Sequence, residues 1–133
     1  MAGFKLTVLV SKIFPQIEDQ IKQRTYTAAN ELRNAELEVL RGARSGRVYN
    51  GIRASAPGEP PALRSGKLHG SFRSLTFQEG NTHVAAIETG VFYVDFLENG
   101  TSKMAKRPIN DPVLEKAKPA LISIYERPYV IKL

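Results

Sequence analysis

The sequence predicts an α+β fold: a long N-terminal amphipathic helix packed on a small antiparallel sheet, an extended proline-rich arm, and a shorter C-terminal helix. Three observations point there. A helical period runs from Phe14 to Gly42, short apolar runs separated by turn dipeptides fill the middle of the chain, and a second helical period follows Pro112. The 133 residues suit a single domain over 1–133, long enough to bury a core without metal or disulfide.

At the N-terminus, Phe4, Leu6, Val8 and Val10 alternate with Lys5, Thr7 and Leu9, which predicts a short opening strand. No basic leader region precedes this run, so it is read as part of the mature chain. Phe14, Ile17, Ile21, Ala28, Leu32, Ala35 and Val39 then recur at steps of three, four and seven, the apolar stripe of one long helix ending near Gly42. Glu18, Asp19, Lys22, Arg24, Glu31, Arg33, Glu36 and Glu38 are assigned to its solvated face. Turn pairs at Ser45-Gly46, Asn50-Gly51, Pro57-Gly58, Ser65-Gly66, Gly80-Asn81 and Asn99-Gly100 bound strand candidates at Arg47–Ala54, Leu68–Gln78, His83–Thr89 and Phe92–Phe96. Gly80-Asn81 between Phe77 and Val84 predicts a hairpin. Asp111 followed by Pro112 reads as an N-cap with proline at the first helical position, and Val113, Leu114, Ala117, Leu121 and Ile124 give that helix its stripe. Pro119 predicts a kink or break within it. The tail Arg127–Leu133 is apolar enough to call for burial.

Composition removes several function classes. No apolar run approaches the roughly 20 residues that span a bilayer, and the absence of cysteine excludes disulfides, thiolate metal sites and cysteine nucleophiles. His69 and His83 lack the spacing of paired metal ligands. Asp95 and Glu98 form a carboxylate pair without a second catalytic group, and Gly42–Tyr49 lacks the lysine and strand-to-helix setting of a phosphate loop. Neither an enzyme nor a cofactor is expected. The net charge of +6 is concentrated: residues 41–73 hold seven basic groups against Glu59 alone, while the two flanking parts are each neutral. Among these, Arg44, Arg47, Arg53, Arg64, Lys67 and Arg73 are candidates for a surface facing phosphates or acidic protein.

Two stretches stand out. Ser55-Ala-Pro-Gly-Glu-Pro-Pro-Ala-Leu-Arg-Ser-Gly-Lys-Leu-His-Gly-Ser71, preceded by Gly46-Arg-Val-Tyr49, places three prolines and two glycines within twelve residues. Tyr93-Val-Asp-Phe-Leu-Glu-Asn-Gly-Thr-Ser-Lys-Met-Ala-Lys-Arg-Pro108 joins an aromatic residue, a glutamate ahead of Gly-Thr, a methionine and an Arg-Pro that leads into the last helix. In this order after a long helix, they resemble the head–tail joining or tail-completion proteins of long-tailed phages, a morphogenesis family, over roughly residues 14 to 126. The chain departs from the family pattern at Asn99 and at Ile109-Asn110.

The resemblance implies a structural virion protein at the neck, present in host cytoplasm during assembly. It implies a homo-oligomeric ring, six-fold, that joins the DNA-filled head to the tail tube and lets DNA pass. Implied partners are an adjacent head-closure or connector ring, tail-tube or tail-terminator proteins, and transient, non-specific genome DNA, with no membrane. Pro57, Gly58, Glu59, Pro60 and Pro61 would belong to a projecting arm over about 55–66 that lies on a neighbour, its prolines lowering the entropy lost on docking. The alternative is a long connection packed on its own domain. Glu98, Gly100, Thr101, Met104, Arg107 and Pro108 form the second motif, in which Glu98 and Arg107 are expected to bracket the loop as an ion pair. The basic residues 41–73 are expected to divide between the lumen of the ring and acidic groups of adjoining subunits. A free-standing basic nucleic-acid-binding module is the other reading of the same charges.

Overall fold

A computed structural model describes residues 2–49, 51–62 and 67–132. Helix α1 runs from Ala2 to Arg41, about 60 Å at 1.5 Å per residue. The expected opening strand is therefore helix. Only Lys5 and Thr7 break the apolar run over 4–10 and Leu9 joins their face, so the alternation there is weak, and extending an existing helix avoids the cost of nucleating a new element. Pro15 lies within α1, where its ring contributes no N–H to the helical ladder.

Strands β1 (Val48–Tyr49) and β2 (Ile52–Arg53) pair antiparallel, Val48↔Arg53 and Tyr49↔Ile52. Helix α2 (Lys67–Ser71) precedes β3 (Arg73–Glu79), which pairs antiparallel with β4 (Thr82–Glu88) from Arg73↔Glu88 to Glu79↔Thr82. The hairpin expected at Gly80-Asn81 is present. Its strand candidate at Leu68 begins instead as a helical turn. Phe92–Phe96 is not a strand either: α3 spans Val94–Asn99. Helix α4 spans Asn110–Glu126 and continues through Pro119, so of the expected kink or break the break is absent.

The α+β architecture is a helical pair with one hairpin laid on it. Helix α1 packs against α4 and against β3 and β4. Leu32, Ala35 and Leu40 of α1 meet Phe72, Ile109, and Val113 and Ala117 of α4, with Leu68, Ala85, Ile87, Val94 and Leu121 around them. The predicted stripes thus locate the core, but their margins shift. Phe14 is 65% exposed and Leu114 53% exposed, whereas Glu36, expected in water, is fully buried. Glu36 follows Ala35 and stands one turn from Leu32 and Leu40, on the flank of a stripe that α4 and the residues around Phe72 widen. In the hairpin, Ala85 and Ile87 turn inward with their partners Thr76 and Ser74, so alternation places Leu75, Phe77, Val84 and Ala86 on the outer face.

The tail is not buried as expected. Pro128, Val130, Ile131 and Lys132 are exposed, and polar side chains of α1 hold residues 128–132 by their main chain.

Candidate assembly surface at the proline-rich loop

The loop after β2 is shaped by two charged side chains. Glu59 turns back so that its carboxylate accepts from the amides of Ala56 (2.6 Å) and Ser45 (3.0 Å) and from the Ser45 hydroxyl (2.9 Å). Those donors favour the charged form, the Ala56 amide first, and hold the Glu59 carboxyl below the ordinary carboxylate range. Arg44 reaches under the loop. Its guanidinium donates to the carbonyls of Pro60 (2.7 Å), Pro61 (3.0 Å), Val39 (2.6 Å) and Ala43 (2.9 Å), tying loop to helix end. Burial lowers the Arg44 pKa, an effect the nearby Glu59 opposes. Pro60 and Pro61 have no N–H with which to join a main-chain ladder, and their two successive carbonyls accept from the planar guanidinium fork instead.

Over residues 55–62 the expected projection is replaced by the alternative, a connection packed on its own domain. Pro61 is buried, Glu59 and Pro60 are half-buried, and only Pro57 and Gly58 stand in solvent. Gly46 makes the close approach possible: a β-carbon there would lie 2.6 Å from the carbonyl oxygens of Ala54 and Ser55.

The second motif lies alongside. The Gly58 amide donates to the Lys106 carbonyl (3.0 Å), joining the two stretches directly. Glu98 does not pair with Arg107. Its carboxylate accepts from the amides of Ile109 (2.7 Å) and Asn110 (3.2 Å) and caps α4 from α3. Arg107 donates instead to the Ala105 carbonyl (3.0 Å), while its amide bonds Leu97 O (2.5 Å). Two adjacent N–H groups at a helix start attract a carboxylate more strongly than one guanidinium in solvent does. For the same reason the expected cap, Asp111, is displaced: Ile109 takes the N-cap position and Asp111 lies in the first turn. Thr101 and Met104 close the loop through paired main-chain bonds, and the Thr101 hydroxyl accepts from Lys103 N (3.2 Å). Gly100 has φ 77°, and a β-carbon there would come 2.9 Å from Lys106 N, so this position requires glycine. Pro108 is half-buried just before the helix.

The basic residues are less available than their charge implies. Arg44 is committed to carbonyls, Arg53 donates to Gly46 O (3.0 Å), and Arg73 is bound to Glu88 across the hairpin. Arg47 is exposed and its side chain bonds no described residue, Lys67 opens α2 on the surface, and Arg64 lies outside the described residues. His69 accepts from Arg41 Nε (2.9 Å); burial, with Arg41 and Arg33 nearby, lowers its pKa. His83 borders a cleft of about 200 Å³ between α1 and the hairpin, with Lys22, Thr25, Tyr26, Thr76, Phe77 and Gln78, and Glu18 stands 3.7 Å from its Nε2. Among the described residues, no three His, Asp or Glu side chains are grouped to hold a metal, and no helix is long and apolar enough to cross a membrane.

Sequence reasoning missed two features. Glu36 is bonded to Arg33 through one carboxylate oxygen while the other is buried without a partner, and burial pushes its carboxyl up to about 7. Gln16, Gln20 and Arg24 hold the tail; their i, i+4, i+8 spacing was visible, but their partners are main-chain atoms that no side-chain pattern announces. Comparison with protein-family models, curated proteins and solved structures returned no match.

Proposed function

We propose that this chain is a structural assembly protein of a phage head–tail junction, forming a homo-oligomeric ring between head and tail. The observation that carries the reading is the bond between Gly58 and Lys106: the two stretches on which the family resemblance rests, about 50 residues apart, meet as one surface in which each holds the other's shape. Only Pro57 and Gly58 crest this surface, and Lys103 and Lys106 are exposed beside them, so a partner would read a rigid ridge with a basic flank. The outer hairpin face of Leu75, Phe77, Val84 and Ala86 supplies an apolar patch suited to a neighbouring copy. DNA contact is a minor part of the role, because Arg44, Arg53 and Arg73 already have partners and phosphate binding scales with uncommitted cations.

Antibody labelling of intact phage particles tests the reading. Gold confined to the neck, and closed rings of the purified chain or of the chain with its neck partners in electron micrographs, are expected. Label on the capsid wall or tail tip, or a chain that instead retards DNA at moderate salt as a monomer, would replace it with another role.

A further inference from the structure

Three side chains one turn apart on α1 read the tail in register. Gln20 donates to Val130 O (2.5 Å) and accepts from Val130 N (2.9 Å), and Gln16 does the same for Lys132 at 2.7 and 2.8 Å. Arg24, the next rung, donates to Pro128 O (3.0 Å) and to Arg127 O (2.7 Å), and its guanidinium lies 3.9 Å from the centre of the Tyr129 ring. Four helical residues rise about 6 Å and two extended residues about 6.6 Å, so the rungs match alternate residues of an extended chain. Each carboxamide gives the tail one donor and one acceptor, as a peptide group would, and its Nε2 also donates back along α1, from Gln16 to Lys12 O (2.8 Å) and from Gln20 to Gln16 O (3.1 Å). The types match as well: Pro128 has no N–H, and the rung opposite it is an arginine, which accepts nothing. Gln16, Gln20 and Arg24 imitate the edge of a β-strand on the side of a helix.

We infer that this column is a binding site for an extended main chain and that in the assembled protein it takes the Arg127–Lys132 segment of a second copy. The segment contributes no residue to the core: Arg127, Pro128, Val130, Ile131 and Lys132 are exposed, and Tyr129, half-buried, rests on the Arg24 guanidinium, which lifting the tail away would uncover. It leaves α4 at one residue, Arg127 (φ −58°, ψ 138°), and Pro128 keeps the departing chain stiff. A neighbour's tail would make the same bonds on the same rungs, so donation in trans loses no rung that the tail has in cis. It also brings a second surface toward Val130, 67% exposed, and Ile131, which the chain alone leaves in water. Each copy has one column and one tail, so reciprocal donation gives a dimer and head-to-tail donation gives a ring where the rotation closes. This inference requires only that copies meet, and it stands or fails apart from the neck location.

The test uses the full chain with a photoreactive benzoylphenylalanine at Tyr129, mixed with heavy-isotope full chain of native sequence. After irradiation, cross-links from light tails to heavy α1 near Arg24 are expected, increasing with protein concentration as intrachain products decline. Intrachain products alone at every concentration, or interchain products mapping away from α1, would overturn the inference. Gln20→Ala removes two bonds, and Val130→Pro removes one donor from an exposed residue without touching the body. Each should lower intrachain and interchain products together, Gln20→Ala on the order of tenfold. Interchain product that survives both substitutions undiminished would show that the contact lies elsewhere.

Discussion

Two glutamates, treated oppositely by the fold, set the chain's sensitivity at the scale of single residues. Glu36 is buried, its carboxyl raised from 4.5 to about 7 by desolvation, which outweighs the attraction of Arg33 and Arg41. A folded-state pKa above the unfolded value means that the folded chain holds the extra proton between the two. Its stabilising contribution is complete below about 4.5 and is lost as pH rises through about 7. Glu36→Gln keeps the shape and removes the titration. Urea unfolding should show the wild type losing stability relative to Glu36→Gln between pH 5 and 8, by on the order of 2 kcal/mol. Taking the difference between the two proteins also cancels the opposite slope of His69, whose lowered pKa favours folding as pH rises. Glu98, by contrast, accepts from two amides at the start of α4. Glu98→Ala leaves the Ile109 and Asn110 amides unpaired and should cost about 1 kcal/mol, seen as an earlier urea midpoint.

At the scale of elements, the proline-rich loop owes its course to Arg44 and Glu59 more than to its prolines. Arg44→Ala strips several half-buried carbonyls of their donor and should destabilise the chain by about 3 kcal/mol; Arg44→Lys, lacking the planar fork, should recover little of it in the same unfolding assay. Glu59 has a depressed carboxyl pKa, so its hold is present above the ordinary carboxylate range and is lost as pH falls through the folded value. Protection factors at Ser45 and Ala56, taken relative to the intrinsic exchange rate at each pH, should therefore fall on acidification, and in Glu59→Gln should be low already at neutral pH. None of this was legible in the sequence, where Arg44 is one of seven basic residues and nothing marks its acceptors as carbonyls. What was legible is periodic: the stripe through Leu32 and Ala35, the turn at Gly80-Asn81, and the stripe through Val113 and Ala117 each repeat a spacing that only one element satisfies. The stretch from Phe4 to Val10 fails that condition, and Glu36 is misplaced because the width of a buried face depends on what packs against it.

Across the whole molecule, one hairpin on one helical pair leaves the outer side of the sheet without a covering layer among the described residues. Phe77 is 41% exposed there, beside Val84 in the register. Phe77→Glu should leave the circular dichroism of the chain unchanged yet reduce its self-association in light scattering at matched concentration. Equal association by the variant would remove this face from the proposed interface.

The tail column also sets an order of events during synthesis. Gln16, Gln20 and Arg24 leave the ribosome roughly 100 residues before Val130 and Lys132, an interval of about 5–20 s at ordinary elongation rates. During that time α1 can form and present its rungs with no tail of its own to fill them. On a polysome, where nascent chains follow one another on a single message, a completed neighbour's tail is then the first able to reach them.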